Sequence, residues 1–186
     1  SDLCTLLSFA TNTFSNMAAS APTTPYMAEY IWLGGKDTFH DIRSKIRTMD
    51  VSAESRFNPD KYPVWNFDGS STEQNSGLDT EILIRPQAVF PHPFETDAVV
   101  VLADCYFSDG TPTPDNSRHF AAAVFAEHGE HEPWYGMEQE YVMLGDDGRP
   151  YDWPKAGFPG AQGPYYCGNG PMMLGREIAM EHYRDR

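Results

Sequence analysis

Short apolar runs, separated by prolines and glycines, fill residues 27–107 and restrict this part of the chain to strands joined by turns. Most of these runs are rich in β-branched and aromatic residues, which favour the half-buried surface of a sheet. Pro86, Pro91 and Pro93 rule out a helix between two of the runs, because proline breaks a helix interior. The predicted strands lie at residues 27–33, 41–50, 64–67, 81–84 and 98–102. We therefore predict one small α+β domain with little helix here.

The second predicted strand carries three cations, Arg43, Lys45 and Arg47, at every other position. Because side chains alternate between the two faces of a strand, the three cations share one face. Charged residues are mostly exposed in folded proteins, so we predict a solvated basic face.

A turn-rich link at residues 108–114 ends the strand-rich region. Asp115 is well suited to cap a helix, which we predict from Asn116 to about Gly129. The predicted apolar stripe of this helix comprises Phe120, Ala121, Val124, Phe125 and His128. A second domain is therefore expected to begin after the link.

The remaining predicted elements of the second domain are a strand at residues 134–144, an acidic hairpin-like turn at 145–148, a Gly/Pro-rich loop at 157–170 and a helix from about Gly175. The sequence stops at Arg186, inside that helix. Because natural domains rarely stop within an element, we expect this domain to be incomplete. The predicted division is a tail at residues 1–25, a first domain at 26–108 and a partial second domain at 112–186.

The chain is strongly acidic, with 13 Lys and Arg against 27 Asp and Glu, a net charge of −14 and an isoelectric point near 4.6. Such a surface repels a phosphate backbone, so we expect no nucleic-acid partner. ATP is not excluded, because a divalent cation held by carboxylates can screen its triphosphate.

Cys4, Cys105 and Cys167 are odd in number and widely spaced, which encodes neither a disulfide framework nor a zinc site. A reducing, cytoplasmic location fits this pattern best. No apolar run approaches the ~20 residues of a membrane span, so we expect no membrane partner. Residues 1–21 lack the basic region of a signal peptide and the arginines of a transit peptide.

Glu138 and Glu140 are the strongest candidates for metal ligands. On the predicted strand they share one face, whereas on a helix they would diverge by about 200°. Two neighbouring carboxylates repel each other unless a cation lies between them, and Mg²⁺ or Mn²⁺ prefers such oxygen ligands. Taken alone, the spacing fits an exposed edge strand with two surface glutamates more often than a metal site.

Other candidate residues give weaker signals. The turn at residues 68–71 has a common turn composition, and Trp134 could stack on an adenine or pack in a core. The loop at residues 157–170 fits neither phosphate-binding glycine motif, and the six histidines form no HxH or HExxH pattern. None of these features alone assigns a function.

Taken together, four segments resemble glutamine synthetases of the eukaryotic type, in the order and spacing of that family. The segments are AEYIW at residues 28–32, WNFDGSST at 65–72, PWYGMEQEY at 133–141 and GFPGAQGPYYCG at 157–168. The resemblance implies an N-terminal β-grasp domain followed by the truncated start of the α/β catalytic domain. It also implies the reaction, in which ATP phosphorylates glutamate to γ-glutamyl phosphate and ammonia displaces the phosphate to give glutamine.

The resemblance further implies roles for individual residues. Glu138 would bind one catalytic Mg²⁺ or Mn²⁺ and lie against the ATP, with Trp134 near it, and Glu140 would bind the other ion. Asp68 would take part in binding and deprotonating ammonium, with Ser71 beside it. The family forms homo-oligomeric rings whose active sites lie between subunits.

The chain also departs from the family, because the remaining metal ligands and the residues that hold phosphate and glutamate are missing. We therefore expect it to be inactive on its own. Two alternatives are a non-catalytic, glutamine-synthetase-like interaction module and an unrelated carboxylate-metal domain. The first alternative predicts that the chain co-purifies with full-length subunits, and the second requires the four segments to be coincidental.

Overall fold

A computed structural model describes residues 24–34, 41–138, 140–158, 166–170 and 173–184. Residues 1–23 of the predicted tail, residues 159–165 of the Gly/Pro-rich loop and Gln139 lie outside the described residues. The strands are β1 (Tyr26–Gly34), β2 (Asp41–Met49), β3 (Trp65–Asp68), β4 (Glu81–Pro91) and β5 (Ala98–Phe107). The helices are α1 (Ser117–His128) and α2 (Arg176–Arg184). Single 3₁₀ turns lie at Ala53–Ser55, Pro59–Lys61, Gly69–Thr72 and Gly129–His131.

The five strands form one mixed sheet in the order β2-β1-β5-β4-β3. β1 and β5 are parallel, and the other neighbouring strands are antiparallel. The predicted α+β class is confirmed, and the structure has five strands where the sequence predicts four or five. The division into domains at residues 26–108 and 112–186 stays a prediction.

The core lies on one face of this sheet. In β1, Tyr26, Ala28, Tyr30 and Trp32 are buried while the residues between them are more exposed, as the period of two requires. The apolar run of β5 occupies a central position between β1 and β4, which confirms the buried location predicted for it. The largest fully buried side chains are Tyr30, Ile82, Ile84, Val99, Val101 and Thr113.

The prediction of a solvated basic face on β2 is wrong. Lys45 and Arg47 lie against the ring of Trp65, with the Lys45 Nζ 4.1 Å from the ring centroid. The Lys45 Nζ also donates to the Asn66 carbonyl at 2.9 Å. Lys45 and Arg47 lie on the core side of the sheet because β2 pairs Lys45 opposite the buried Tyr30, and an aromatic face and a carbonyl accommodate their charge. Arg43, at the end of the strand, pairs with the exposed Asp41 at 3.1 Å. The opposite face instead carries exposed Ile42 and Ile46.

β4 is longer than predicted because it continues through Pro86. Its register against β5 shifts between Pro86 and Ala88. Proline has no N–H to donate to the neighbouring strand. A β-bulge at Pro86 therefore lets the hydrogen bonding between β4 and β5 resume from Ala88 onward. The strand then runs to Pro91.

Helix α1 begins one residue later than predicted. Asn116, not Asp115, is the N-cap, and its side-chain oxygen accepts from the His119 N–H at 3.1 Å. The Asn116 amide also donates to the Cys105 carbonyl at 2.9 Å, so this buried side chain ties the helix to β5. Asp115 instead accepts from the Gln74 amide at 3.3 Å.

The apolar stripe of α1 is largely exposed, with Phe120, Val124 and Phe125 all between 47% and 59% accessible. Helix α2 is confirmed close to its predicted start, after Gly175. Within the described residues, no helix is long and apolar enough to cross a membrane. Cys105 is buried and Cys167 exposed, and neither forms a disulfide.

Candidate functional site

Asp68 lies at the point where β3 ends and a 3₁₀ turn, Gly69–Thr72, begins. One of its carboxylate oxygens accepts from the Ser70 N–H at 3.0 Å and the Ser70 hydroxyl at 2.7 Å. The other accepts from the Ser71 hydroxyl at 3.2 Å. The structure therefore brings Asp68 and Ser71 together, as the resemblance implies.

These hydrogen bonds lower the pKa of Asp68 below its ordinary value. The Ser70 hydroxyl is the largest cause, followed by the Thr80 side chain and the Ser70 N–H. All of them donate to the carboxylate and favour its charged form. Asp68 is exposed, so the turn presents a fixed negative charge to solvent.

The backbone of the Asp68 turn is anchored on β4. The Gly69 N–H donates to the Thr80 carbonyl at 2.7 Å, and the Gly69 carbonyl accepts from the backbone of Gln74 at 3.0 Å. Gly69 is buried against Ile82, whose Cγ1 would lie only 2.6 Å from an added Cβ. The absence of a side chain at residue 69 is therefore what lets the turn pack closely enough to fix Asp68.

The strand predicted at residues 134–144 is not observed. Residues 132–138 and 140–143 have no regular secondary structure, and Leu144 makes only an isolated bridge with Pro150. A strand requires a partner for its backbone N–H and C=O groups, and no strand pairs with this segment among the described residues. The acidic hairpin-like turn is confirmed, since the Gly145 N–H donates to the Arg149 carbonyl at 2.8 Å.

Trp134, Glu138 and Glu140 are all exposed, with Trp134 96% accessible. Without a strand, the argument that the two glutamates share a face no longer applies, and Gln139 between them lies outside the described residues. Their role as a metal-binding pair stays a prediction. So does the contact of Trp134 with a nucleotide.

The segment after the two glutamates packs on α2. The ring of Tyr141 meets that of His182 edge-on, with centroids 5.4 Å apart. The Met143 carbonyl accepts a hydrogen bond from the Tyr151 N–H at 2.8 Å. The sulfur of the Met143 side chain lies against Gly175, the residue before α2. Among the described residues, the hydrogen bonds of the Asp68 carboxylate, by contrast, all come from residues 70–80. The meeting of Asp68 with Glu138 and Glu140 in one site stays a prediction.

Sequence reasoning missed Ser70 and Thr80 as the side chains that most strongly hold Asp68 ionised. The Ser70 contact had a usable signal. An aspartate just before a helical turn accepts from the N–H two or three residues later, as in an N-cap. Thr80 is brought in by the pairing of β3 with β4, which a local motif does not reveal.

Comparison with known proteins gives close relatives. The chain is 47% identical over 174 residues to glutamine synthetase cytosolic isozyme 1-1 of Oryza sativa subsp. japonica, covering 91% of this chain and 48% of the relative. It is 46% and 48% identical over 160 residues to glutamine synthetases of Neurospora crassa and Emericella nidulans, covering 85% of this chain and 43% of each relative. No family model matches the chain. The chain is therefore homologous to the eukaryotic glutamine synthetases, and it spans about half the length of the curated relatives it matches.

Proposed function

We propose that the chain supplies part of a glutamine synthetase, an enzyme that uses ATP to join ammonia to glutamate through γ-glutamyl phosphate. The observation that carries this proposal is the 46–48% identity to glutamine synthetases over 85–91% of the chain. Its finer parts are a β-grasp fold for residues 26–108, the start of the catalytic domain at residues 112–186, and assembly into a homo-oligomeric ring. The rice relative is named a cytosolic isozyme, which supports a cytoplasmic location.

In this proposal, Asp68 binds ammonium and accepts its proton. The exposed carboxylate is held in its charged form by three donors of its own turn, so it can attract a cation without first losing a proton. The Ser71 hydroxyl donates to one of the two carboxylate oxygens and so helps to fix the orientation of the carboxylate. A general base must lie within hydrogen-bond reach of the proton it removes, and an exposed turn can meet such a substrate.

Glu138 and Glu140 are proposed as ligands of two Mg²⁺ or Mn²⁺ ions, with Trp134 beside the ATP. The donor chemistry fits, because carboxylate oxygens are the ligands that these hard cations prefer. The surrounding sequence also fits, since residues 119–148 contain seven Asp and Glu and no Lys or Arg. Bound there, the ions would neutralise charge on the phosphoryl group in transfer.

The chain alone is expected to show no synthetase turnover. Mg²⁺ needs about six ligands, and two exposed glutamates supply only part of that shell. The test of function is therefore a chimera in which this sequence replaces the matching region of the rice enzyme. Glutamine formation from glutamate, ammonia and ATP is then measured beside the parent enzyme.

The proposal predicts an active chimera whose KM for ammonium rises in Asp68→Asn, while Asp60→Asn serves as an exposed aspartate control. A chimera that assembles like the rice parent but forms no glutamine would refute the proposal. Turnover by the 186-residue chain alone would refute only its expected inactivity.

A second candidate function, a non-catalytic module that docks on glutamine synthetase subunits, is favoured by one observation. The apolar stripe of α1 and the isoleucines of β2 are exposed in this structure, with Ile42 76% and Phe120 59% accessible. Such surface is usual where another polypeptide packs. Co-purification of the chain with full-length subunits, together with an inactive chimera, would favour this candidate.

A further inference from the structure

Two histidines and a glutamate converge where α1 ends. His128 is the last residue of α1, and Gly129–His131 forms a 3₁₀ turn directly after it. Side chains three residues apart eclipse each other in a 3₁₀ turn, which brings His131 back beside His128. Their ring centroids are 6.0 Å apart and their planes are tilted by 36°.

Glu130 adds a carboxylate to the two imidazoles. One ligand atom from each of His128, Glu130 and His131 lies within 4.8 Å of the other two. The Glu130 Oε1 is 3.6 Å from the His131 Nε2. The turn is closed by a hydrogen bond from the Glu132 N–H to the Gly129 carbonyl at 3.1 Å, which fixes the backbone from which Glu130 and His131 project.

The charge around this cluster favours a cation. Glu127 and Glu132 flank it in sequence, and the cluster lies inside the stretch of residues 119–148 that has no Lys or Arg. The three side chains are exposed, so a bound ion would keep positions open to water. The field therefore attracts a cation, and the geometry offers it three donors.

We propose that His128, Glu130 and His131 bind one divalent transition-metal ion, for which Zn²⁺ is the probe. Imidazole nitrogen suits Zn²⁺, Cu²⁺ and Ni²⁺, whereas Mg²⁺ and Mn²⁺ prefer oxygen ligands. Two imidazoles and one carboxylate with an open fourth position form a donor set that Zn²⁺ accepts. This site is independent of the proposed synthetase function, which uses Glu138 and Glu140.

The test is Zn²⁺ titration of the full 186-residue chain by calorimetry, with excess Mg²⁺ present to occupy oxygen-only sites. We expect one Zn²⁺ per chain. His128→Gln and His131→Gln should each weaken that binding at least ~10-fold, because even outer-shell partners of metal ligands are worth ~10–100-fold in affinity. The matched control is His182→Gln, an exposed histidine on α2 that should leave Zn²⁺ affinity unchanged.

Cu²⁺ then serves as a spectroscopic probe of the same site. Its electron paramagnetic resonance spectrum should show coupling to two imidazole nitrogens, and to one in each glutamine variant. The proposal is overturned if both variants bind Zn²⁺ as tightly as His182→Gln does. It is also overturned if Glu138→Gln or Glu140→Gln abolishes Zn²⁺ binding in the calorimetric titration, since the ion would then lie at the segment of residues 138–140.

Discussion

Replacing Gly69 by alanine tests how closely the Asp68 turn is packed. An alanine Cβ there would lie 2.6 Å from the Ile82 Cγ1, 2.9 Å from the Thr80 carbonyl oxygen and 3.0 Å from the Asn75 Cβ. Ile82 is completely buried, so its side chain has no free space into which it can rotate. The Thr80 carbonyl accepts the Gly69 N–H, so the backbone there is fixed as well.

The junction of β3 and β4 must therefore open to admit the methyl group. Overpacking of this kind costs about 1–3 kcal/mol, and with a urea slope of about 1–3 kcal/mol per molar the midpoint should fall by roughly 1 M. The assay is urea unfolding of the full chain followed by circular dichroism. Gly136→Ala is the matched control, because an added Cβ meets nothing within 4 Å at that position. Equal stability of the two variants would refute the packing argument.

Three further predictions concern a cap, a charge and a titration. Asn116→Ala should lower the free energy of unfolding by about 1–2 kcal/mol, because it removes the N-cap of α1 and the hydrogen bond from the Asn116 side-chain amide to the Cys105 carbonyl. Thermal unfolding of the variant beside the parent chain measures this loss. Lys45→Met should cost about 0.5–1 kcal/mol in urea unfolding, since it keeps the aliphatic stem but loses the charge over Trp65. Folding lowers the pKa of Asp68 from its ordinary value of 3.8. The ionised carboxylate therefore stabilises the fold above that pH, and this stabilisation is lost as the pH falls through the folded pKa. The stability of Asp68→Asn should accordingly depend less steeply on pH below about pH 4 than that of the parent chain, as measured by acid unfolding.

Local patterns predicted the strands well, because alternation and proline placement act over a few residues. β1 alternates buried and exposed residues as the sequence indicates, and the apolar run of β5 lies in the middle of the sheet. Because charged side chains are usually exposed, the sequence predicts that the cations of β2 face solvent. Only the pairing of Lys45 opposite Tyr30, beside the distant Trp65, shows that they lie on the core side.

The candidate site could be predicted in part. The Asp68 turn has a local cause, a carboxylate capping its own 3₁₀ turn, and the sequence places Ser71 within its reach. The sequence predicts a strand for the segment of Glu138 and Glu140, but a strand depends on a neighbouring strand that the segment itself does not specify. The sequence places His128 in the apolar stripe of the predicted helix and does not pair it with His131, because a spacing of three matches neither the HxH nor the HExxH pattern. They meet only because a 3₁₀ turn follows α1.

The most direct test of the central proposal is Mn²⁺ binding to the rice chimera, measured as the number of ions per active site and the affinity of each. We expect two bound ions. Glu138→Gln should weaken the binding of one and Glu140→Gln that of the other, and glutamine formation should fall in both variants. Glu95→Gln, an exposed glutamate outside the proposed site, should change neither quantity. Two Mn²⁺ ions bound with unchanged affinity in both site variants would contradict the account.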